Sequence, residues 1–350
     1  MFKLSKSNAS VLLSQIKSPA KLFNDFGMRI SYLLKLRQVP CLPSSLDIEP
    51  VNNCNFSCPH CQVTYWDKEV VHLQKSAFET LIEQLPNLVW IKLQGMGEPL
   101  LNKELIPMLE FGEQKNIRMS FTTNGSLLKG KLAHRISKLK NTSIHLSIDG
   151  ASAEVFEKIR VGSRFDVVCK NIKEFTDLID VEDRQKLSAW MVLTKQNLHE
   201  VEDVIKLVKE LGLGALTIQP FLNDWGKDEM GQHINEIKLS PDLVSSKKIH
   251  SALETAQETA LEQGVNLKVF DGDFYSRARK CSWPWKSAYI CTNGDVVPCA
   301  ILADSDTVKM GNIHEQSFSE IWNNDKYQDF RTCHVTHDLP DHCKHCYLDA

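Results

Sequence analysis

Cys54, Cys58 and Cys61 stand together in Cys54-Asn55-Phe56-Ser57-Cys58-Pro59-His60-Cys61. Three thiolates on one short loop can hold three irons of a cubane cluster and leave the fourth iron without a protein ligand. An open metal position suits a reactive site, whereas a closed four-ligand set suits a structural one. Soft sulfur donors select iron–sulfur clusters, zinc or Cu(I) over harder ions. The alternative is a zinc loop or three unrelated core cysteines. The C-x3-C-x2-C spacing is uneven for a zinc ribbon, and no matching histidine pair follows closely. A second group, Cys281, Cys291, Cys299, Cys333, Cys343 and Cys346, fills the last 70 residues. There Cys343-x2-Cys346 lies among His334, His337, His342 and His345, so zinc is a rival to iron and sulfur. Cys41, Cys169 and Cys333 read as plain thiols.

The first cysteine loop follows a strand-like run, Leu46-Asp47-Ile48-Glu49. From there to residue 220 strands and helices alternate. Ser76-Ala77-Phe78-Glu79 and Asn197-Leu198-His199-Glu200 read as capping boxes. Asn102 is a candidate cap, with Pro107 predicting a kink or late start. Strands are predicted at 46–49, 88–93, 117–121, 143–148, 187–193 and 216–218. Six β/α units imply a parallel sheet with right-handed crossovers, an open partial (β/α)6 TIM-type barrel of the α/β class. The cysteine loop, Gly97-Glu98, Asn124-Gly125 and Asp149-Gly150 each follow the last apolar residue of a strand. They are therefore expected on one rim, the carboxyl-end face where such barrels carry active sites.

The domain reading is a helical extension over 1–43, the barrel over 44–220, a helical connector over 221–279 and a small α+β metal module over 280–350. In the extension, Ser18-Pro19 starts a helix whose Leu22, Phe23, Phe26, Ile30, Leu33 and Leu34 recur at helical spacing, predicting a face packed on the main domain. Residues 1–46 also hold seven Lys/Arg and one acid, Asp25, the balance of a transit peptide or a membrane-surface segment. In the module, Thr292-Asn293-Gly294 reads as a tight hairpin and Ser317-Phe318-Ser319-Glu320 as a cap.

A net charge of −3 gives no support to a nucleic-acid partner. No apolar run approaches the ~18 residues needed to span a bilayer. Eleven cysteines, nine of them in two groups with metal-type spacings, favour a reducing, cytoplasmic setting over a disulfide framework.

The cysteine loop and the stretch from about 46 to 220 resemble the radical S-adenosylmethionine (SAM) superfamily. The resemblance implies a 4Fe–4S cluster on Cys54, Cys58 and Cys61 that binds SAM and cleaves it to a 5′-deoxyadenosyl radical. Gly95-Met96-Gly97-Glu98-Pro99 is similar to the family's glycine-glycine-glutamate-proline motif, with Met96 inserted. It implies that Gly97 and Glu98 receive the SAM amino group. Asn124 and Ser147 resemble positions that bond the ribose or methionine part, and Arg160 one that pairs with the SAM carboxylate. His60 occupies the place of an aromatic ring against the cofactor and reads as a supporting group, not a ligand.

The C-terminal segment resembles the auxiliary-cluster module of such enzymes, in its short twitch form or as a trimmed SPASM form. That implies a second 4Fe–4S cluster on Cys281, Cys299, Cys343 and Cys346, with Cys291 able to exchange roles with one of them. The expected activity is a two-electron oxidation of a small-molecule, carrier-bound or peptide substrate, served by a flavodoxin- or ferredoxin-like reductant. Rival readings are a redox-neutral epimerase with Cys291 or Cys333 as hydrogen donor, an RNA-modifying enzyme, and a non-catalytic iron–sulfur or zinc protein.

Overall fold

The computed structural model describes residues 18–220, 222, 228–239, 247–269 and 281–344. Among these, ten strands form one sheet. They are β1 (Ser45–Ile48), β2 (Trp90–Leu93), β3 (Arg118–Thr123), β4 (Thr142–Ser147), β5 (Leu187–Val192), β6 (Ala215–Gln219), β7 (Asn266–Val269), β8 (Ser287–Ile290), β9 (Asp295–Val297) and β10 (Gly311–Asn312). Their order is β10-β9-β8-β1-β2-β3-β4-β5-β6-β7. From β8 to β7 every pairing is parallel, while β8–β9 and β9–β10 are antiparallel. β7 is an edge, so this is an open, partial (β/α) barrel.

Two of the parallel strands lie outside the six units read from the sequence. β7 comes from the stretch read as a helical connector and pairs with β6, Ala215 beside Asn266. Its Asn-Leu-Lys-Val carries only two apolar residues, Leu267 and Val269, and is too short and polar to register as a strand. β8 lies parallel to β1, Ser45 beside Ser287 and Ile48 beside Ile290. The C-terminal module thus continues the barrel sheet from the far side of β1.

Burial follows the two-residue period of a pleated strand. Leu46, Ile48, Ile91, Leu93, Met119, Phe121, Ile144, Leu146, Ala189, Met191, Leu216 and Ile218 are buried on the helix side. The alternate residues face the barrel interior and are mostly polar and half-buried. A parallel sheet buried on both faces reads as a continuous apolar run. The alternation here therefore marks an interior face lined by polar side chains.

Helix starts depart from the expected caps. The helix Lys75–Glu83 begins before Ser76, and its Lys75 amide donates to the Glu104 carboxylate at 2.6 Å. Helix Leu105–Gln114 starts late, with Pro107 in its first turn. Asn102 accepts from the Glu104 amide at 2.8 Å and donates to Pro50 O and Leu73 O. Asn197 does not cap helix Val201–Glu210. Its amide group spans Thr194 N, Asp149 O and Val192 O instead. Ser317 forms the expected capping box with Glu320. Gly294 closes the β8–β9 hairpin with φ of +84°, a conformation that favours glycine. Within the stretch read as a helical connector, residues 240–246 lie outside the described residues, and helix Lys247–Gln263 is described from Lys247.

The helix Pro19–Leu33 packs opposite to expectation. It buries Asn24, Met28 and Ser31. Phe23, Phe26 and Leu33 remain 75%, 62% and 68% exposed. The cause is a close approach on the small-residue side. Gly27 faces Cys41, whose Sγ would lie 2.3 Å from any Cβ placed there. Asn24 then reaches Leu42 O at 2.8 Å.

Candidate functional site

The cysteine loop leaves β1 and is braced by the turn that follows it. Thr64 donates to Cys58 O and Tyr65 to Pro59 O, both at 2.8 Å. Ser57 N donates to Val161 O at 2.9 Å. The Cys54 thiol accepts from Phe56 N at 3.4 Å and Asn124 Nδ2 at 3.9 Å, and Cys61 Sγ donates to Met96 O at 3.8 Å. Burial pushes Cys54 up to about 11 and Cys58 up to about 12, and raises Cys61. Cys58 feels the charges of Cys61 and Cys54, Cys54 that of Cys61, and Arg160 opposes the rise at all three. Thiolates must form before they ligate, so metal binding here releases protons. Three sulfurs on one loop beside a fixed cation make a donor set that fits an anionic iron–sulfur cluster.

Gly97 owes its identity to the loop beside it. A Cβ there would sit 2.2 Å from Val51 O and 2.5 Å from Asn53 O. Glu98 is 3% exposed and turned inward. Its Oε1 accepts from Thr123 Oγ1 at 2.7 Å and Leu100 N at 3.1 Å, and its Oε2 from Asn124 N at 2.8 Å. Burial raises its pKa, opposed by these bonds and by Arg160. The carboxylate therefore ties the ends of β2 and β3 together, a positioning role the sequence did not indicate. Asn124 is likewise engaged, donating to Asn55 Oδ1 at 3.0 Å and accepting from Ser126. Ser147 ends β4 on the interior face, 8% exposed.

Arg160 is the electrostatic centre of this rim. Its Nε and Nη2 reach Asp149 Oδ2 at 2.7 and 2.6 Å. Asp149 is fully buried, and its Oδ1 accepts from Val192 N at 2.8 Å. The carboxylate keeps the guanidinium charged against the desolvation of its site. Of five N–H donors, two are spent on Asp149, leaving a fork for another anion. His60 is half-buried, and desolvation holds it down to about 4, so it is a neutral imidazole. Next to Cys61, Gln62 is 0% exposed, and neither its Oε1 nor its Nε2 has a partner among the described residues. Such an amide calls for a group that both donates and accepts.

The interior face below this rim was missed by motif reading. Thr122 donates to Gln94, His145 meets Ser188 at 2.7 Å, and Trp190 Nε1 donates to Gln219 at 3.2 Å. His145 and Trp190 meet edge to face. The signal was present as polar residues at alternate strand positions.

The C-terminal module brings Cys299 and Met96 against one small cluster that includes Cys291, Tyr289 and Val297. Met96 therefore touches the first cysteine group through its carbonyl and the second through its side chain. Burial and the Glu49 charge push the Cys291 thiol well up, so it is protonated. Cys281 acts on Tyr32 and Cys299 on Tyr327. Cys343 is buried, and Cys333 is half-buried on helix Asp325–Thr336. Cys346 lies outside the described residues. Lys68, downstream of the first loop, clamps the module by ion pairs to Asp304 at 2.6 Å and Asp306 at 2.8 Å.

The model of the radical SAM superfamily matches residues 48–208, and that of the SPASM iron-sulfur cluster-binding domain matches 281–347. The chain is 21% identical over 323 residues to the tungsten-containing aldehyde ferredoxin oxidoreductase cofactor-modifying protein of Pyrococcus furiosus, covering 87% of each. It is 20% identical over 317 residues to the PqqA peptide cyclase of Gluconobacter oxydans, covering 88% of this chain and 84% of that one. Among solved structures, SuiB of Streptococcus suis bound to S-adenosylmethionine superposes with a TM-score of 0.65 at 19% identity, over 83% of this chain and 68% of that one. No helix among the described residues is long and apolar enough to cross a membrane.

Proposed function

Because the chain belongs to the radical SAM superfamily and carries a SPASM-type iron–sulfur module, we propose that it oxidises a polar substrate by two electrons, with Cys54, Cys58 and Cys61 holding the SAM-binding cluster. When bound, that 4Fe–4S cluster supplies the electron that splits SAM into methionine and the radical that takes a hydrogen atom from the substrate. The single observation that carries the reading is the Arg160–Asp149 pair beside the three thiols. Arg160 presents its remaining N–H donors to the SAM carboxylate. Ser147 offers a hydroxyl at the same rim, and Gly97 keeps the motif backbone against the cysteine loop. Glu98 and Asn124 act by fixing that backbone. His60, neutral and half-buried, can stack or donate one hydrogen bond.

The interior row of Gln94, Thr122, His145, Ser188, Trp190 and Gln219 receives the substrate. Its amides, hydroxyls and aromatic rings suit a hydrogen-bonding small molecule or peptide segment. The names of relatives that process peptides support the second: PqqA peptide cyclase, and SuiB solved with its precursor peptide SuiA. Cys281, Cys299, Cys343 and Cys346 would hold the auxiliary cluster, which would take the second electron and pass it to an oxidised carrier, while a flavodoxin- or ferredoxin-like reductant would supply the electron for SAM cleavage.

Anaerobic reconstitution with iron counting tests this reading. Two 4Fe–4S clusters give about eight irons per chain. Substitution of Cys54, Cys58 and Cys61 by Ala should abolish 5′-deoxyadenosine formation and retain the second centre. Deoxyadenosine from that variant would overturn the assignment. One SAM consumed per oxidised product supports oxidation, whereas solvent deuterium in an otherwise unchanged product identifies an epimerase.

A further inference from the structure

The helix Pro19–Leu33 buries Asn24, Met28 and Ser31 and turns Leu22, Phe23, Phe26 and Leu33 outward. Leu22, Phe23, Phe26 and Leu33, with Leu34 at the helix end, are between 36% and 75% exposed. At 100° per residue these five fall within an arc of about 120°, so they form one stripe along a helix about 22 Å long. A contiguous apolar stripe of this kind marks an interaction surface, unlike isolated exposed residues.

Charge selects the partner. Residues 1–46 hold seven Lys and Arg against one acid, in a chain of net charge −3. That acid, Asp25, is paired with Arg29 at 2.7 Å, and Arg37 is paired with Asp329 of a later helix at 3.2 Å. A second copy seated on this stripe would bring two basic segments together. Residues 1–17 add three lysines and no acid, so they do not neutralise the helix either. An anionic lipid surface complements both the apolar stripe and the basic surround.

We propose that this helix is an interfacial anchor, which lies flat on an anionic membrane with Phe23 and Phe26 in the headgroup boundary. It binds without crossing, since no described helix is long and apolar enough to span. The attachment is reversible and weakened by salt.

The test is co-sedimentation of the purified full chain with two kinds of vesicle, one of phosphatidylglycerol and phosphatidylcholine in equal parts, the other of phosphatidylcholine alone. The expected result is binding to the first, weaker binding to the second, and release by high salt. The double variant Phe23→Ser/Phe26→Ser changes two exposed residues that belong neither to the cysteine groups nor to the rim around Cys54, Cys58 and Cys61. It should bind the anionic vesicles at least about 10-fold more weakly and form deoxyadenosine at the wild-type rate. Equal binding by the variant, or no binding by the wild type, overturns the proposal. So does a variant that changes only from dimer to monomer by light scattering, which would assign the stripe to a second copy. Loss of deoxyadenosine in the cysteine variant with vesicle binding intact separates this surface from the radical chemistry.

Discussion

Glu49 is a carboxylic acid with a pKa of about 7, at the carboxyl end of β1 between the two cysteine groups. It is 2% exposed, and burial is the main cause of the rise. The backbone N–H of Met96, the Tyr289 hydroxyl, the backbone N–H of Thr292 and the distant charge of Lys68 oppose it. Its folded value lies above the unfolded 4.5, so between the two the folded chain holds a proton that the unfolded chain has released. Its contribution to stability is complete below about pH 4.5 and is lost as pH rises through 7. At 1.36 kcal/mol per pH unit, the change is about 3 kcal/mol. Glu49→Gln removes this slope. The neutral amide still accepts from Met96 N but turns an NH2 toward Thr292, at a cost of about 1 kcal/mol. Urea unfolding of the metal-free protein under nitrogen, at pH 5 and pH 8, provides the measurement. The wild type should lose about 3 kcal/mol relative to the variant between those conditions. An unchanged difference between the two proteins at both pH values would refute the reasoning.

Asp149→Asn leaves the buried Arg160 charge without its partner and should cost about 3–5 kcal/mol in the same assay. Adding Arg160→Gln should return part of that loss, and strictly additive losses would show that the pair is not coupled. Gly97→Ala forces a methyl group to within 2.2 Å of Val51 O. It should displace the cysteine loop and lower SAM affinity about 10-fold or more, read by calorimetry on the reconstituted protein. Wild-type affinity in that variant would mean that the loop has room to shift.

Side-chain type and local spacing carried much of the chemistry. The three cysteines, the glycines at strand ends and the alternating strands could be read directly, because each depends on neighbours within a few residues. The same local reading failed at Asn197. Its side chain chose the carbonyls of Asp149, just past β4, and Val192, at the end of β5, over its own helix, as a buried amide must satisfy whatever polar groups surround it.

By itself, the sequence determined which donors exist and which strands present them, since thiol chemistry and strand periodicity are properties of short segments. Only the tertiary structure decided who meets whom. It set Arg160 on Asp149, turned Glu98 onto Thr123 and Asn124, and laid β8 against β1 across about 240 residues of chain. It also turned the apolar side of the first described helix outward, because Gly27 and Ser31 allow a closer approach than Phe23 and Phe26 do. Helical period shows that a stripe exists, but the shape of the surface beneath decides which side is buried.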